Sequence, residues 1–141
     1  MSSTACETPV DPMRSALMRR VRQKGTQAED DVADVLRELG LRFRRNVRTL
    51  PGSPDFANKT HHWAIFVNGC FWHRHQGCRR TTTPTRNREF WLAKFAANVK
   101  RDGVKARLLR TMGFRVVTIW ECETRDLGKV RKRLKPIVDS R

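Results

Sequence analysis

The spacing of apolar and polar positions divides the chain into segments before any single residue is considered. Residues 1–12 carry Ser, Thr, Glu and two prolines without periodicity and read as a disordered arm. From Arg14 to Lys24, Leu17, Met18 and Val21 alternate with Arg and Lys, the pattern of a short basic amphipathic helix or arm. Thr26-Gln-Ala-Glu29 has the form of a capping box, with Val32, Val35, Leu36 and Leu39 following at helical spacing and Gly40 as the stop. Leu41 to Val47 reads as a strand, and Leu50-Pro-Gly-Ser-Pro-Asp55 as a tight turn into a second strand. His62 to Val67 holds a continuous apolar run of the length of a central, fully buried strand.

A polar connection containing Pro84 runs from Thr81 to Arg88. It leads into a long helix from about Asn87 to Arg110 that Gly103 could interrupt. The core stripe expected of that helix is Leu92, Phe95, Ala96 and Val99. After Gly113, Phe114 to Trp120 is a β-branched strand ending in Glu121-Cys122, and Leu127 to Arg141 is a basic helix able to cover a sheet edge. There are no internal repeats. The order α, β, β, β, long α, β, α predicts an α/β fold, a mixed sheet with helices on its faces, in one domain over residues 13–141.

Charge narrows the range of partners. Lys and Arg number 30 against 14 Asp and Glu, a net charge of +16 and a pI near 11.3, so the partner is expected to be polyanionic. Nucleic acid is favoured over an anionic membrane surface, because the cations are spread along the chain and not gathered on one amphipathic helix. No run of about 18 apolar residues occurs and Met1 to Val10 has no signal-peptide core, so a cytoplasmic protein with reduced cysteines is expected.

The segment Asn68-Gly-Cys-Phe-Trp-His-Arg-His-Gln-Gly-Cys78 concentrates the chemistry. Cys70, His75 and Cys78, joined by Cys122 past the last strand, make a Cys₃His set suited to a structural Zn²⁺. Inert buried cysteines are the alternative, and Cys6 is left over in the arm. Phe71 and Trp72 sit between the ligands, where a small loop could hardly bury both; in so basic a chain they read as rings to be pushed into a base stack.

Asp55 opens a strand beside the apolar run, as the metal-binding aspartate does in many Mg²⁺ nucleases, but equally suits a turn. The Glu-x-Lys those enzymes carry is replaced by Phe66-Val67-Asn68, so a second carboxylate has to come from elsewhere. Glu29 is available for that role or for the capping box alone. His73 could act as a general base. On the long helix Trp91, Asn98 and Asp102 share one stripe, from which Asp102 could orient His73 or pair with an arginine.

Together these residues resemble the very-short-patch repair (Vsr) family of mismatch endonucleases. The likeness is carried by Arg14-Ser15…Met18…Thr26-x-x-Glu29, Leu50-Pro-Gly-Ser-Pro-Asp-Phe56 and Ile65-Phe-Val-Asn-Gly-Cys-Phe-Trp-His-Arg-His75. It continues through Thr85-Arg86…Glu89-Phe-Trp-Leu-x-Lys94…Asn98…Arg101-Asp102 and Gly113-Phe-Arg-Val…Ile119-Trp-Glu-Cys122, covering about residues 13 to 125. The resemblance implies a restriction-endonuclease-like fold, related to the PD-(D/E)xK nucleases, that nicks one strand 5′ to the thymine of a T:G mismatch in double-stranded DNA. It implies Mg²⁺ at Asp55 and the Val67 main-chain carbonyl, with Glu29 holding water on that ion. His73 would activate the attacking water with Asp102 behind it, and Cys70, His75, Cys78 and Cys122 would take Zn²⁺.

Phe71, Trp72 and Trp91 would enter the stack from the major groove, with Lys94 and Asn98 beside them and Met18 pressing in the minor groove. A monomer with a functional link to a cytosine-5 DNA methyltransferase is expected. Asn68 stands where the family commonly has histidine; it can hold a phosphate oxygen or water but carries no proton. Val67 stands where threonine is frequent, and the His75–Cys78 spacing is one residue longer than usual. Two other readings remain at this point: a related nuclease acting on modified or branched DNA, and a zinc-stabilised DNA-binding module without catalysis.

Overall fold

The structure is a computed structural model that describes residues 26–79 and 81–139. The arm at 1–12, the basic segment Arg14–Lys24 with Met18, and Cys6 lie outside the described residues. Among the described residues three α-helices and four strands follow in chain order: α1 Gln27–Glu38, β1 Arg44–Arg45, β2 Phe56–Asn58, β3 Trp63–Asn68, α2 Arg88–Thr111, β4 Arg115–Trp120 and α3 Leu127–Asp139. A short 3-10 turn, Glu121–Arg125, separates β4 from α3. The mixed α/β expectation holds.

The strands lie in the order β1-β2-β3-β4, antiparallel except for the parallel β3–β4 pair. The apolar run at 63–67 is central because both of its faces are covered. Trp63, Ile65 and Val67 point into a core with Val32, Leu36, Ile119, Leu134 and Ile137 from α1, β4 and α3. Ala64 and Phe66 point the other way, onto Leu109 and Phe114. Burying each such aliphatic side chain contributes roughly 1.5–3 kcal/mol. α3 therefore lies under a sheet face beside α1 and does not cap an edge. Arg131 ties it to Glu38 of α1 through two bonds, Nε to Oε2 at 2.5 Å and Nη2 to Oε1 at 3.0 Å.

Three local expectations are corrected. Only half of the capping box forms: Thr26 Oγ1 accepts from Glu29 N at 3.3 Å, while the Glu29 carboxylate turns into the protein. The reason is helical spacing, which puts Glu29 on the same face as buried Val32 and Ala33. The strand expected over Leu41–Val47 shrinks to two residues. Leu41 N bonds back to Leu36 O at 3.0 Å in the helix C-cap, and Asn46 (φ 51) turns the chain away. Finally, α2 runs unbroken through Gly103 and is rotated from the expected stripe: Trp91, Phe95 and Leu109 are buried, while Leu92 and Val99 are 42% and 48% exposed. Burying the larger indole at position 91 removes more apolar area from water than burying Leu92, and that sets the rotation.

Because β3 and β4 run parallel with Asn68 opposite Trp120, both strands release their following loops at one end of the sheet. Residues 69–79 and the Glu121–Arg125 turn meet there, His75 Nδ1 lying 3.5 Å from Cys122 Sγ. At the neighbouring edge the β1–β2 turn brings up Asp55. Gly52 in that turn has φ +76, and a Cβ on it would lie 2.5 Å from Lys105 Cγ, so the turn and α2 touch only through a glycine.

Candidate active site and metal-ion cluster

Directly after β3 the chain tightens, His73 N donating to Gly69 O and His75 N to Cys70 O, both at 3.1 Å. Between the two histidines Arg74 takes a left-handed conformation, φ 55. Across that reversal the two histidines take different partners, His75 the cysteines and His73 Asp102. Arg74 is locked by bonds from Nη1 to Thr82 O and Nη2 to Thr83 Oγ1, each 2.7 Å, with its guanidinium 4.0 Å above the Phe95 ring. Burial holds its pKa below the usual arginine value.

His75 Nδ1 lies 3.7 Å from Cys70 Sγ and 3.5 Å from Cys122 Sγ. The ligand atoms of Cys70, His75, Cys78 and Cys122 all fall within 4.8 Å of one another, so the four residues can hold a metal ion. Trp120 stacks on the His75 ring at 4.3 Å, and Thr81 Oγ1 donates to the His75 main-chain carbonyl at 2.6 Å. Burial pushes the Cys70 thiol up to about 12 and raises that of Cys122. Ligation by either sulfur therefore has to displace a proton.

His73 Nδ1 meets Asp102 Oδ2 at 2.6 Å, and Asp102 Oδ1 lies 3.5 Å from Lys105 Nζ. His73, Asp102 and Asn68 line one open cleft of about 870 Å³ at the end of the sheet, which His75 and Cys78 of the cluster line as well. Asp55 sits next to it: its Oδ2 accepts from the Val67 amide at 2.7 Å, one residue before Asn68. Glu29 is 1% exposed, and neither carboxylate oxygen has a hydrogen-bond partner among the described residues. The nearest cation is Arg45 of β1, whose Nη2 is 4.0 Å from Glu29 Oε1.

The aromatic loop departs from expectation. Phe71 is half-buried, but Trp72 and Trp91 are only 7% and 6% exposed. The rings do not project from the loop; they pack with Phe90 and Phe95 in a cluster of their own. α2 supplies the cover that a short loop could not. Trp72 and Trp91 centroids are 6.4 Å apart, Lys94 Nζ is 5.9 Å from each, and Asn98 Nδ2 donates to Trp72 O at 3.3 Å. Trp91 Nε1 is buried without a partner among the described residues.

Similarity to known proteins agrees with this geometry. The profile of the DNA mismatch endonuclease Vsr family matches residues 9–80. A nicking enzyme of Xanthomonas oryzae pv. oryzae, V.XorIIP, is 41% identical over 126 residues, covering 89% of this chain and 92% of that relative. The chain belongs to the Vsr family of DNA mismatch endonucleases. The Vsr protein of Escherichia coli K12 is 39% identical over 83% of this chain and 74% of its own length. V.NmeAIP of Neisseria meningitidis is 34% identical over 89% of each. The protein is thus a DNA endonuclease, a hydrolase, with the restriction-endonuclease-like fold of its family. Among the described residues no helix is long and apolar enough to cross a membrane.

The structure brings together the sequence-identified residues in three sets: Asp55 with Val67, His73 with Asp102 and Asn68, and the Cys₃His cluster. It also reveals three contributors that sequence reasoning missed. Arg74 clamps the loop, Lys105 flanks Asp102, and Arg45 faces Glu29. Arg74 lay inside the motif, but neither its positive φ nor its bond to Thr82 leaves a local signal. Lys105 and Arg45 act across the fold and leave none.

Proposed function

We propose that this Vsr-family endonuclease requires Mg²⁺ and nicks one strand of duplex DNA 5′ to the thymine of a T:G mismatch, in a particular sequence context. A structural Zn²⁺ stiffens its aromatic loop. The observation that carries the reading is Glu29, a solvent-excluded carboxylate with no hydrogen-bond donor on either oxygen among the described residues, with Asp55 as a second buried carboxylate. Such a group is costly unless a cation completes it. The residues fit the ion: hard oxygen donors from Asp55 and the Val67 carbonyl, with the Glu29 carboxylate to hold water on it, are the chemistry that magnesium takes. For the cluster, Zn–S of about 2.3 Å and Zn–N of about 2.0 Å in a tetrahedron separate S and N by roughly 3.5 Å. The observed separations of 3.5 and 3.7 Å support zinc there.

Magnesium, when bound, neutralises phosphate charge at the scissile bond. With Nδ1–H donated to Asp102, His73 carries its lone pair on Nε2 and takes the proton from the attacking water. Asp102 steadies the imidazolium that results. Asn68 holds a phosphate oxygen from its amide, and in-line attack releases the 3′ oxygen of the preceding nucleotide. Phe71, Trp72 and Trp91 enter the base stack beside the mismatch, whose weak pairing lowers the few kcal/mol that unstacking demands. Lys94 and Asn98 accompany them onto the DNA. Since deamination of 5-methylcytosine opposite guanine yields T:G, the enzyme acts downstream of a cytosine-5 DNA methyltransferase, as a monomer.

The test is a nicking assay with Mg²⁺ on T:G and matched duplexes whose flanking pairs are randomised. Wild type should cut only the thymine strand of the mismatch. Asp55→Ala and His73→Ala should abolish cutting with binding still measurable. Equal cutting of matched duplex would assign the chain to another nuclease activity, and tight binding with no Mg²⁺-dependent nick would remove catalysis altogether.

A further inference from the structure

A second charged surface lies outside the machinery described above. Arg42, Arg44, Arg45, Arg48 and Lys59 line an open cleft of about 900 Å³ along the β1–β2 edge, and among the described residues no carboxylate lines it. Arg45 pairs with Asp30 at 3.2 Å, and Lys59 Nζ donates to Thr49 Oγ1 at 2.6 Å. Arg42, Arg44 and Arg48 are exposed and have no ion pair among the described residues. Unpaired guanidinium groups held together on an edge strand repel one another, and their cost falls when a polyanion joins them.

The position of the cleft identifies that polyanion. Its wall is hydrogen-bonded to the catalytic corner: Asn46 N donates to Asp55 O at 2.9 Å and Val47 N to Pro54 O at 3.0 Å. Arg45 at the same edge reaches toward Glu29. A duplex engaged at Asp55 and extended over β1 would lay successive phosphates on these cations. Asp30 of α1, paired with Arg45, is the exposed acidic group that adjoins these cations among the described residues.

We propose that the β1–β2 cleft is a secondary seat for the phosphates of one duplex arm flanking the nicking site. It adds affinity and fixes which arm lies over the sheet edge, without reading bases. The inference rests on duplex DNA being the substrate and is independent of the T:G preference.

The experiment measures binding of the full chain to duplexes with one T:G pair, which fixes the register, short or extended on one arm at a time and without Mg²⁺ so that nothing is cut; the same duplexes without the mismatch report the salt slope alone. Extension of one arm should tighten binding by wild type; extension of the other should not. The double variant Arg44→Gln/Arg48→Gln should lose that asymmetry and reduce the slope of log Kd against log salt by about two. Between about 50 and 200 mM salt, wild type should then lose roughly tenfold more affinity than the variant. Arg48→Glu should enlarge the effect, and an unchanged thermal midpoint verifies that each variant is folded. Lys129→Gln/Lys132→Gln on α3 removes the same charge elsewhere. If it changes the slope and the arm dependence as much as the cleft variant does, or if the cleft variant changes neither, the proposal is overturned.

Discussion

Replacing Glu29 with methionine should make the metal-free protein more stable while destroying its activity. The carboxylate is 1% exposed and both oxygens lack a hydrogen-bond partner among the described residues. A buried polar group left unsatisfied costs about 1–3 kcal/mol, and more when charged. Arg45, one-third exposed and 4.0 Å away, returns no more than about 1 kcal/mol. Methionine has similar length, no unmet polar atoms and enough flexibility to fill the space. Glu29→Met should therefore gain roughly 1–3 kcal/mol, a rise in melting midpoint of about 3–10 °C for a chain of this size. Magnesium should reverse the order: at a hundredfold excess over Kd it stabilises wild type by about 2.7 kcal/mol and leaves the variant unmoved. Calorimetric melts with and without Mg²⁺, together with a nicking assay, measure all three effects. A lower midpoint for metal-free Glu29→Met would refute the reasoning, because the carboxylate would then be a structural group whose bonds were being lost.

Three further outcomes follow from the same geometry. Trp72→Ala should lower the ratio of mismatched to matched cleavage; because truncating a buried Trp costs about 3–5 kcal/mol, the ratio is measured well below the variant's midpoint. An unchanged ratio would remove Trp72 from recognition. Stripping the Cys₃His cluster with a chelator should lower the midpoint reversibly, since an ion at a thousandfold excess over Kd contributes about 4 kcal/mol; a midpoint indifferent to chelation would mean no ion is held. The Arg131 hydrogen bond, reinforced by its charge, holds the Glu38 carboxyl below its ordinary value of 4.5. A depressed carboxylate adds stability above its unfolded pKa and loses it as pH falls through the folded one. Wild type should thus exceed Glu38→Gln at neutral pH, with the gap closing below about pH 4.5 in denaturant titrations.

What the sequence made legible was what periodicity and local spacing encode. The run at 63–67 read as a buried central strand because both faces are apolar, and the element order fixed the layers. The Cys-x₄-His-x₂-Cys spacing exposed three members of the metal cluster, and the parallel neighbouring strand explains how Cys122 joins them. The rotation of α2 was not legible, because two apolar stripes compete on that helix. Leu92, Ala96 and Val99 repeat as regularly as Trp91, Phe95 and Asn98, and only the facing loop decides between them. Glu29 was ambiguous for a similar reason: position N3 serves a capping box and a core-facing carboxylate equally well. Its fate depends on whether Val32 and Ala33 beside it are buried.

The closed aromatic cluster sets the threshold a base pair must pass if Phe71, Trp72 and Trp91 are the inserting rings. Separating Trp72 from Trp91 would forfeit roughly 0.5–1.5 kcal/mol per ring contact beyond the apolar area that both rings bury. Freeing Trp91 Nε1, which is buried without a partner among the described residues, would return about 1–3 kcal/mol of desolvation. The area lost is the larger effect, of the order of the about 3–5 kcal/mol that truncating a buried Trp costs, so opening is unfavourable for the free protein. Each ring that stacks on a base would return about 1–3 kcal/mol, against the few kcal/mol needed to unstack a matched step. On this account a matched step would leave the cluster shut. Only a mismatch that stacks poorly would lower the cost enough for insertion, and the discrimination would need no hydrogen bond to the mispaired bases.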